Sequence, residues 1–399
     1  MEQTTCHPVR YVGSMYSGLQ GMTATEADID AILAEIAPFE EHQELLSHIP
    51  VGERRHSGYV QPTVNRLAHI LNERGAAQVL QNAPDADGLW ASMEERTRLR
   101  MLPGVTLQPN DLDYYDLALQ EWRAFQAVRD ARRSSGTWDE GWRYQYSVPS
   151  PASLAIVLLG PQSSRALTNL IHPVDAVASA RQIFGHYQAI HNATVEQVGR
   201  IAQGIPAEQS VAQIEATAEM LLVTQAHKLG AGRAVARAMG GLLAKLVSEL
   251  PSDVAVDLHA CTGSLNNEAE TGMRTLEPFV LLVNAMTAKL HRLDPNRKLL
   301  HVHCPVARSD APARTDERYY RPLAGLEPPV GMAPYEFYAG LANRCQPLAE
   351  QQRALALTRK HLPGIFDVLG VSTSCGMGRY SREAGIEVHQ NLARLALGE

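Results

Sequence analysis

Short β-type runs alternate with longer helical stretches along this whole chain, and that rhythm limits the architectures open to it. The runs are 10–14 (RYVGS), 57–61 (SGYVQ), 143–149 (RYQYSVP), 210–215 (SVAQIE), 254–261 (VAVDLHAC), 299–304 (LLHVHC), 335–341 (YEFYAGL) and 366–372 (FDVLGVS). Strands separated by helical segments are the signature of βα units on a parallel sheet. Eight of them predict an α/β chain folded as a single (β/α)8 TIM-type barrel spanning residues 1–399. The rival arrangement is an open doubly wound sheet. Between the runs, Thr23-Ala-Thr-Glu26 reads as a capping box, followed by Ile29, Ile32, Leu33 and Ile36 on one helical stripe. Residues 216–246 are Ala-rich and helical. Segment 278–283 has strand-like residue types, but Leu276, Phe279, Val280, Val283 and Leu290 recur at helical spacing, so a helix is predicted over 267–291. Residues 65–135 are mostly helical or irregular and are expected as an inserted helical stretch laid over the barrel.

Composition narrows the function classes. The chain has 399 residues, 45% of them hydrophobic and 20% charged, which is ordinary for a globular protein and excludes a disordered or fibrous one. A net charge of −7 provides no basic field for a phosphate backbone, so no nucleic-acid partner is expected. No apolar run approaches the ~18 residues of a membrane span, so no membrane partner is expected either. Met-Glu-Gln-Thr-Thr lacks the basic start and apolar core of a signal peptide, and a cytoplasmic location is expected. Five cysteines, an odd and sparse count, point to reduced thiols rather than a disulfide framework.

Working residues of such barrels sit at the C-terminal ends of strands. Here those ends carry soft ligands: His259-Ala-Cys261, His301-Val-His303-Cys304, and Ser372-Thr-Ser-Cys375-Gly-Met-Gly-Arg379. His259 and Cys261, two residues apart on a strand, point to the same face. Imidazole and thiolate together suit Zn²⁺, which takes about four such ligands. Cys375, distant in sequence, would come back to the same mouth as the ring of strands closes. A lone His-x-Cys is also what a packed core looks like, since buried cysteines behave as small hydrophobes. Cys6 and Cys345 are read as bland, with no part in such a site.

These motifs resemble the zinc-bearing C-terminal barrel of the cobalamin-independent methionine synthases, in a superfamily with uroporphyrinogen decarboxylase and epoxyalkane:coenzyme M transferase. Val12-Gly13-Ser14 looks like the family's opening Gly-Ser element. Ala212-Gln-Ile-Glu215-Ala216 resembles its Gln-Ile-Asp-Glu-Pro strand. His259-Ala-Cys261 looks like its His-x-Cys motif, and Ser374-Cys375-Gly-Met377 resembles its Asp-Cys-Gly-Leu motif. The resemblance implies His259, Cys261 and Cys375 as zinc ligands, Glu215 as partner of a substrate amine, and Ser14 as a contact to a substrate carboxylate. The family's fourth ligand, a glutamate ending the sixth strand, has no counterpart in His303-Cys304. Cys304 or His303 would replace it, or the position falls to water or substrate. Were 278–284 the sixth strand, Asn284 would stand there. The family's His-Ser-Pro-Arg stretch reads Gly340-Leu-Ala-Asn343-Arg344 here, and its folate-binding stretch reads Val148-Pro-Ser-Pro151.

The resemblance therefore implies a zinc-dependent transferase that moves a methyl or other alkyl group from a donor to a small-molecule thiol, by a route other than ordinary folate-dependent methionine synthesis. A zinc-held thiol is deprotonated and becomes a nucleophile at neutral pH. His303 is a candidate general acid if it is not a ligand, with a packed strand histidine as its other reading. Arg379 would pair with a substrate carboxylate or phosphate. Two other functions stand beside this one: a metal-free decarboxylase or lyase of the same superfamily, and a non-catalytic barrel with structural zinc.

Overall fold

The computed structural model describes residues 6–12, 26–27, 42, 44–46, 48–50, 60–81, 90, 95–136, 138, 140–161, 173–263, 272–297, 299–308, 310–328, 334–377 and 380–399. Its strands are β1 (Val9–Arg10), β2 (His48–Pro50), β3 (Ala77–Gln81), β4 (Arg98–Met101), β5 (Arg143–Pro149), β6 (Ser210–Glu215), β7 (Val256–His259), β8 (His301–Cys304), β9 (Glu336–Ala342) and β10 (Leu369–Thr373). Eight of these form one sheet in the order β1-β10-β9-β8-β7-β6-β5-β2, and every pairing in it is parallel. A parallel bridge between Val9 and Leu46 brings the β1 edge round to the residues just ahead of β2. The strands thus follow chain order around a nearly closed cylinder with helices outside, the TIM-type barrel expected.

The barrel strands are buried on both faces, as parallel strands must be when helices cover them. On β8, Val302 joins the outer apolar layer while His301 and His303 alternate onto the opposite face. The helix Glu277–Leu293 is present as its period indicated, with Pro278 in its first turn. The expected helix over 267–291 starts late: residues 272–276 are not helical, with Leu276 the N-cap, and 267–271 lie outside the described residues. The stretch 216–246 is two helices, Thr217–Lys228 and Gly232–Glu249, separated at Gly230, whose φ of 79° is readily adopted by glycine. Of the capping box, Glu26 is described, in a helical residue pair. Thr23 lies outside.

Two expectations are corrected. The second barrel strand is His48–Pro50, not 57–61, of which residues 57–59 lie outside the described residues. Val60 and Gln61 open the helix Val60–Glu73. Pro62 sits in that helix's first turn, where a missing N–H costs nothing, and Val64, Leu67, Ala68 and Leu71 are buried at helical spacing. The inserted stretch is also not helical throughout. After Val60–Glu73 it contains the antiparallel pair β3–β4, and only then the long helix Tyr114–Ser135. Buried Arg96 and Arg98 anchor that pair, donating to the carbonyls of Val157 (2.8 Å) and Gly160 (3.0 Å) at the end of the helix Pro151–Leu159. Among the described residues no helix is long and apolar enough to cross a membrane.

Candidate metal centre

His259 is the last residue of β7, Cys261 follows two residues on, and Cys375 lies two residues beyond β10. Their donor atoms lie within 4.8 Å of one another. Cys261 Sγ is 3.8 Å from Cys375 Sγ, and Cys375 Sγ is 3.9 Å from His259 Nε2. Closure of the cylinder brings the ends of β7 and β10 to one mouth. Two thiols and an imidazole are the borderline-soft donors that Zn²⁺ takes. Zinc bonds of ~2.3 Å to sulfur and ~2.0 Å to nitrogen give tetrahedral edges of about 3.8 Å (S···S) and about 3.5 Å (N···S). The trio already stands close to both edges, so it fits such an ion with small side-chain adjustments. The Cys261 thiol is held well above its ordinary range, first by its hydrogen bond to Cys375, then by burial, with the Cys375 and Glu215 charges adding. A cation at this point would remove that penalty.

Glu215 ends β6 in register with His259. Its Oε2 is 3.7 Å from His259 Nε2, and its Oε1 accepts from Gln213 Nε2 at 3.0 Å. The carboxylate therefore flanks the trio. His303 is in register with His259 on the next strand. Its Nδ1 is 2.8 Å from His259 Nδ1, and its Nε2 is 3.0 Å from the Thr373 carbonyl. Burial, then the neighbouring His259 and Arg10, hold His303 far below the ordinary histidine range. Cys304 does not join the trio. One residue on from His303, it alternates to the outer face, fully buried in the apolar core. Burial alone pushes its thiol well up, and its charge would bear on Tyr319, Tyr320 and Tyr335. Asn284 is on a helix, donating to the Gly325 carbonyl at 2.6 Å. Ser14 and Arg379 lie outside the described residues.

Beneath the trio the barrel interior is polar, a feature the sequence reading missed. Arg10 Nε is 3.1 Å from Asp257 Oδ2, which His301 Nδ1 also approaches at 3.2 Å. His301 Nε2 is 3.1 Å from Glu336. Arg10 also donates to Gln213 Oε1, so its guanidinium links this layer to the amide beside Glu215. His48, Asp257 and His301 also have ligand-type atoms within 4.8 Å of one another. Arg10 already supplies the cation there, so this group reads as a charge-compensated core. A usable signal existed in the sequence: Asp257 sits inside VAVDLHAC, and a charge within a buried strand needs a partner.

The loops at this mouth brace one another. Arg344 grips Asp310 through two nitrogens (3.2 and 2.8 Å), and Tyr380 donates to the same carboxylate at 3.0 Å. That ties the segment carrying Cys375 to the loops after β8 and β9.

No protein-family model matches the chain, and no curated protein matches it. Among solved structures, it is similar to a B12-independent methionine synthase from Shewanella sp. W3-18-1 in complex with selenomethionine, with TM-score 0.52, 12% identity, and 98% of this chain and 97% of that chain covered. A putative vitamin-B12-independent methionine synthase from Listeria monocytogenes aligns with TM-score 0.47 at 13% identity, covering 99% of this chain and 98% of that one. The chain thus shares its fold with a methionine synthase.

Proposed function

We propose that this chain is a zinc-dependent transferase that moves a methyl or other alkyl group from a donor to a small-molecule thiol. The observation that carries the reading is the convergence of His259, Cys261 and Cys375 at the C-terminal mouth of the barrel, where such folds do their chemistry. These three residues would hold the ion. Bound there, zinc supplies acidification of a substrate thiol, whose free pKa is ~8.5, so that it attacks at neutral pH. As the sulfur–carbon bond forms, the bond from that carbon to the donor's leaving group breaks, and the thiol proton passes to solvent.

The chain's own residues bind and orient. Glu215, a buried carboxylate beside His259, meets a substrate amine. Ser14 and Arg379 are assigned to carboxylate or phosphate groups of the substrates. Ordinary folate-dependent methionine synthesis is not proposed. Asn343, where the resemblance calls for a histidine stretch, is buried and spends its side chain on the Cys345 N–H (2.7 Å). The fold shared with a methionine synthase supports a thiol-alkylating chemistry without naming the thiol.

Cobalt(II) in place of zinc tests the reading by absorption spectroscopy. Thiols bearing an amine are expected to change the cobalt bands at lower concentration than plain alkyl thiols, and Glu215→Gln is expected to erase that preference. Cobalt bands that no thiol alters would instead indicate a closed, structural site.

A further inference from the structure

We propose that His303 is a positioning residue that presets His259 for metal binding, holding it as the Nδ1–H tautomer with the Nε2 lone pair turned to Cys261 and Cys375. The inference rests on the metal reading above, and it adds a residue that neither ligates nor touches substrate.

The argument is one of donors and acceptors. In its neutral form the His303 imidazole carries one N–H. Its Nε2 lies 3.0 Å from the Thr373 carbonyl, which can only accept, so the hydrogen is on Nε2. His303 Nδ1 is then a bare lone pair, 2.8 Å from His259 Nδ1. That short contact is a hydrogen bond only if His259 donates from Nδ1. A neutral His259 consequently presents Nε2 unprotonated, 3.9 Å from Cys375 Sγ. The Glu215 carboxylate stands 3.7 Å from the same Nε2, outside hydrogen-bond distance. A ligating histidine whose second nitrogen donates to a fixed acceptor is the usual outer-shell device for setting tautomer and ring orientation.

The strand lattice holds the His303 ring in place. His259 and His303 are register partners on β7 and β8. On β9, residue 340 is glycine, and a Cβ there would stand 2.4 Å from His303 Nε2 and 2.7 Å from Cε1. The ring occupies the space that a side chain on β9 would fill, so its orientation is built into three neighbouring strands.

Two measurements test this. Nitrogen-15 shifts and couplings of the imidazoles in the metal-free wild type are expected to show His259 protonated at Nδ1 and His303 at Nε2. Chelator competition for zinc is expected to show 10–100-fold weaker binding for His303→Leu. His303→Asn can place its amide oxygen near the former Nδ1 and should recover most of the affinity. Both variants remove the ring, so a purely packing role would weaken them alike. Protonation of His259 at Nε2, or a His303→Leu variant that folds and binds zinc like the wild type, overturns the proposal. Should His303→Leu not fold, the tautomer measurement decides. A wild type that binds no zinc overturns the metal reading itself, whereas a wild type and His303→Leu that bind equally overturn only the role given to His303.

Discussion

Glu219 offers a perturbation whose size follows from its surroundings. It lies in the first turn of the helix Thr217–Lys228 and is 1% exposed. Ser153 Oγ donates to its Oε2 at 3.1 Å. Burial raises its carboxyl from an ordinary 4.5 to about 6, against the smaller opposing effect of hydrogen bonds from Ser150, the backbone and Ser153. With the folded value above the unfolded one, the native state binds more protons between them. The contribution to stability is therefore fully present below pH 4.5 and is lost as pH rises through about 6. A displacement of about 1.5 pH units, at roughly 1.4 kcal/mol each, comes to about 2 kcal/mol. Glu219→Gln removes the charge and keeps an acceptor for Ser153. The variant is expected to be more stable than the wild type by up to about 2 kcal/mol at pH 7.5, with the difference closing toward zero near pH 4. Urea unfolding of both proteins across that range reads the difference directly, because every other titrating group cancels. A difference independent of pH, or a variant less stable at pH 7.5 than at pH 4 relative to wild type, would refute the reasoning.

The interior charges and the strand lattice give further tests. Asp257→Asn leaves the fully buried Arg10 guanidinium without its counter-charge and is expected to cost ~3–5 kcal/mol in urea unfolding; a loss under ~1 kcal/mol would contradict the pairing. Burial alone would raise the Asp257 carboxyl, but His301 and Arg10 together hold it well below the usual carboxylate range. Its contribution is accordingly present at neutral pH and lost only in strong acid, a limb that Asp257→Asn should lack when unfolding is followed into acid. Gly340→Ala pushes a Cβ into the His303 ring and is expected to weaken zinc binding by about tenfold or more, through His259. Unchanged affinity by chelator competition would show that the ring can move without consequence.

Much of the barrel was legible because βα alternation is a local signal. Strands 143–149 and 210–215 have the bounds their residues indicated. His48–Pro50 was not legible: three residues, one of them proline, carry little propensity, and the strand exists through its pairing with β5. The β3–β4 pair was hidden because its two runs are short and separated by a long connection. At the candidate metal centre, His259 and Cys261 share a face by the period of two, and Cys375 follows from ring closure. The same period places Cys304 on the face opposite His303, outside the trio. The hydrogen bond from Arg10 to Gln213 and the ion pair with Asp257 join strands more than two hundred residues apart. No local pattern announces such pairs. A charge inside an apolar strand shows only that some partner exists.

Zinc content of the purified chain, set beside Cys261→Ala and Cys375→Ala, bears most directly on the whole reading. About one zinc per wild-type chain, lost in both variants while their barrels stay folded, is the expected result. A folded wild type that takes up no zinc when it is supplied, or variants that retain it in full, would contradict the metal centre and the chemistry built on it.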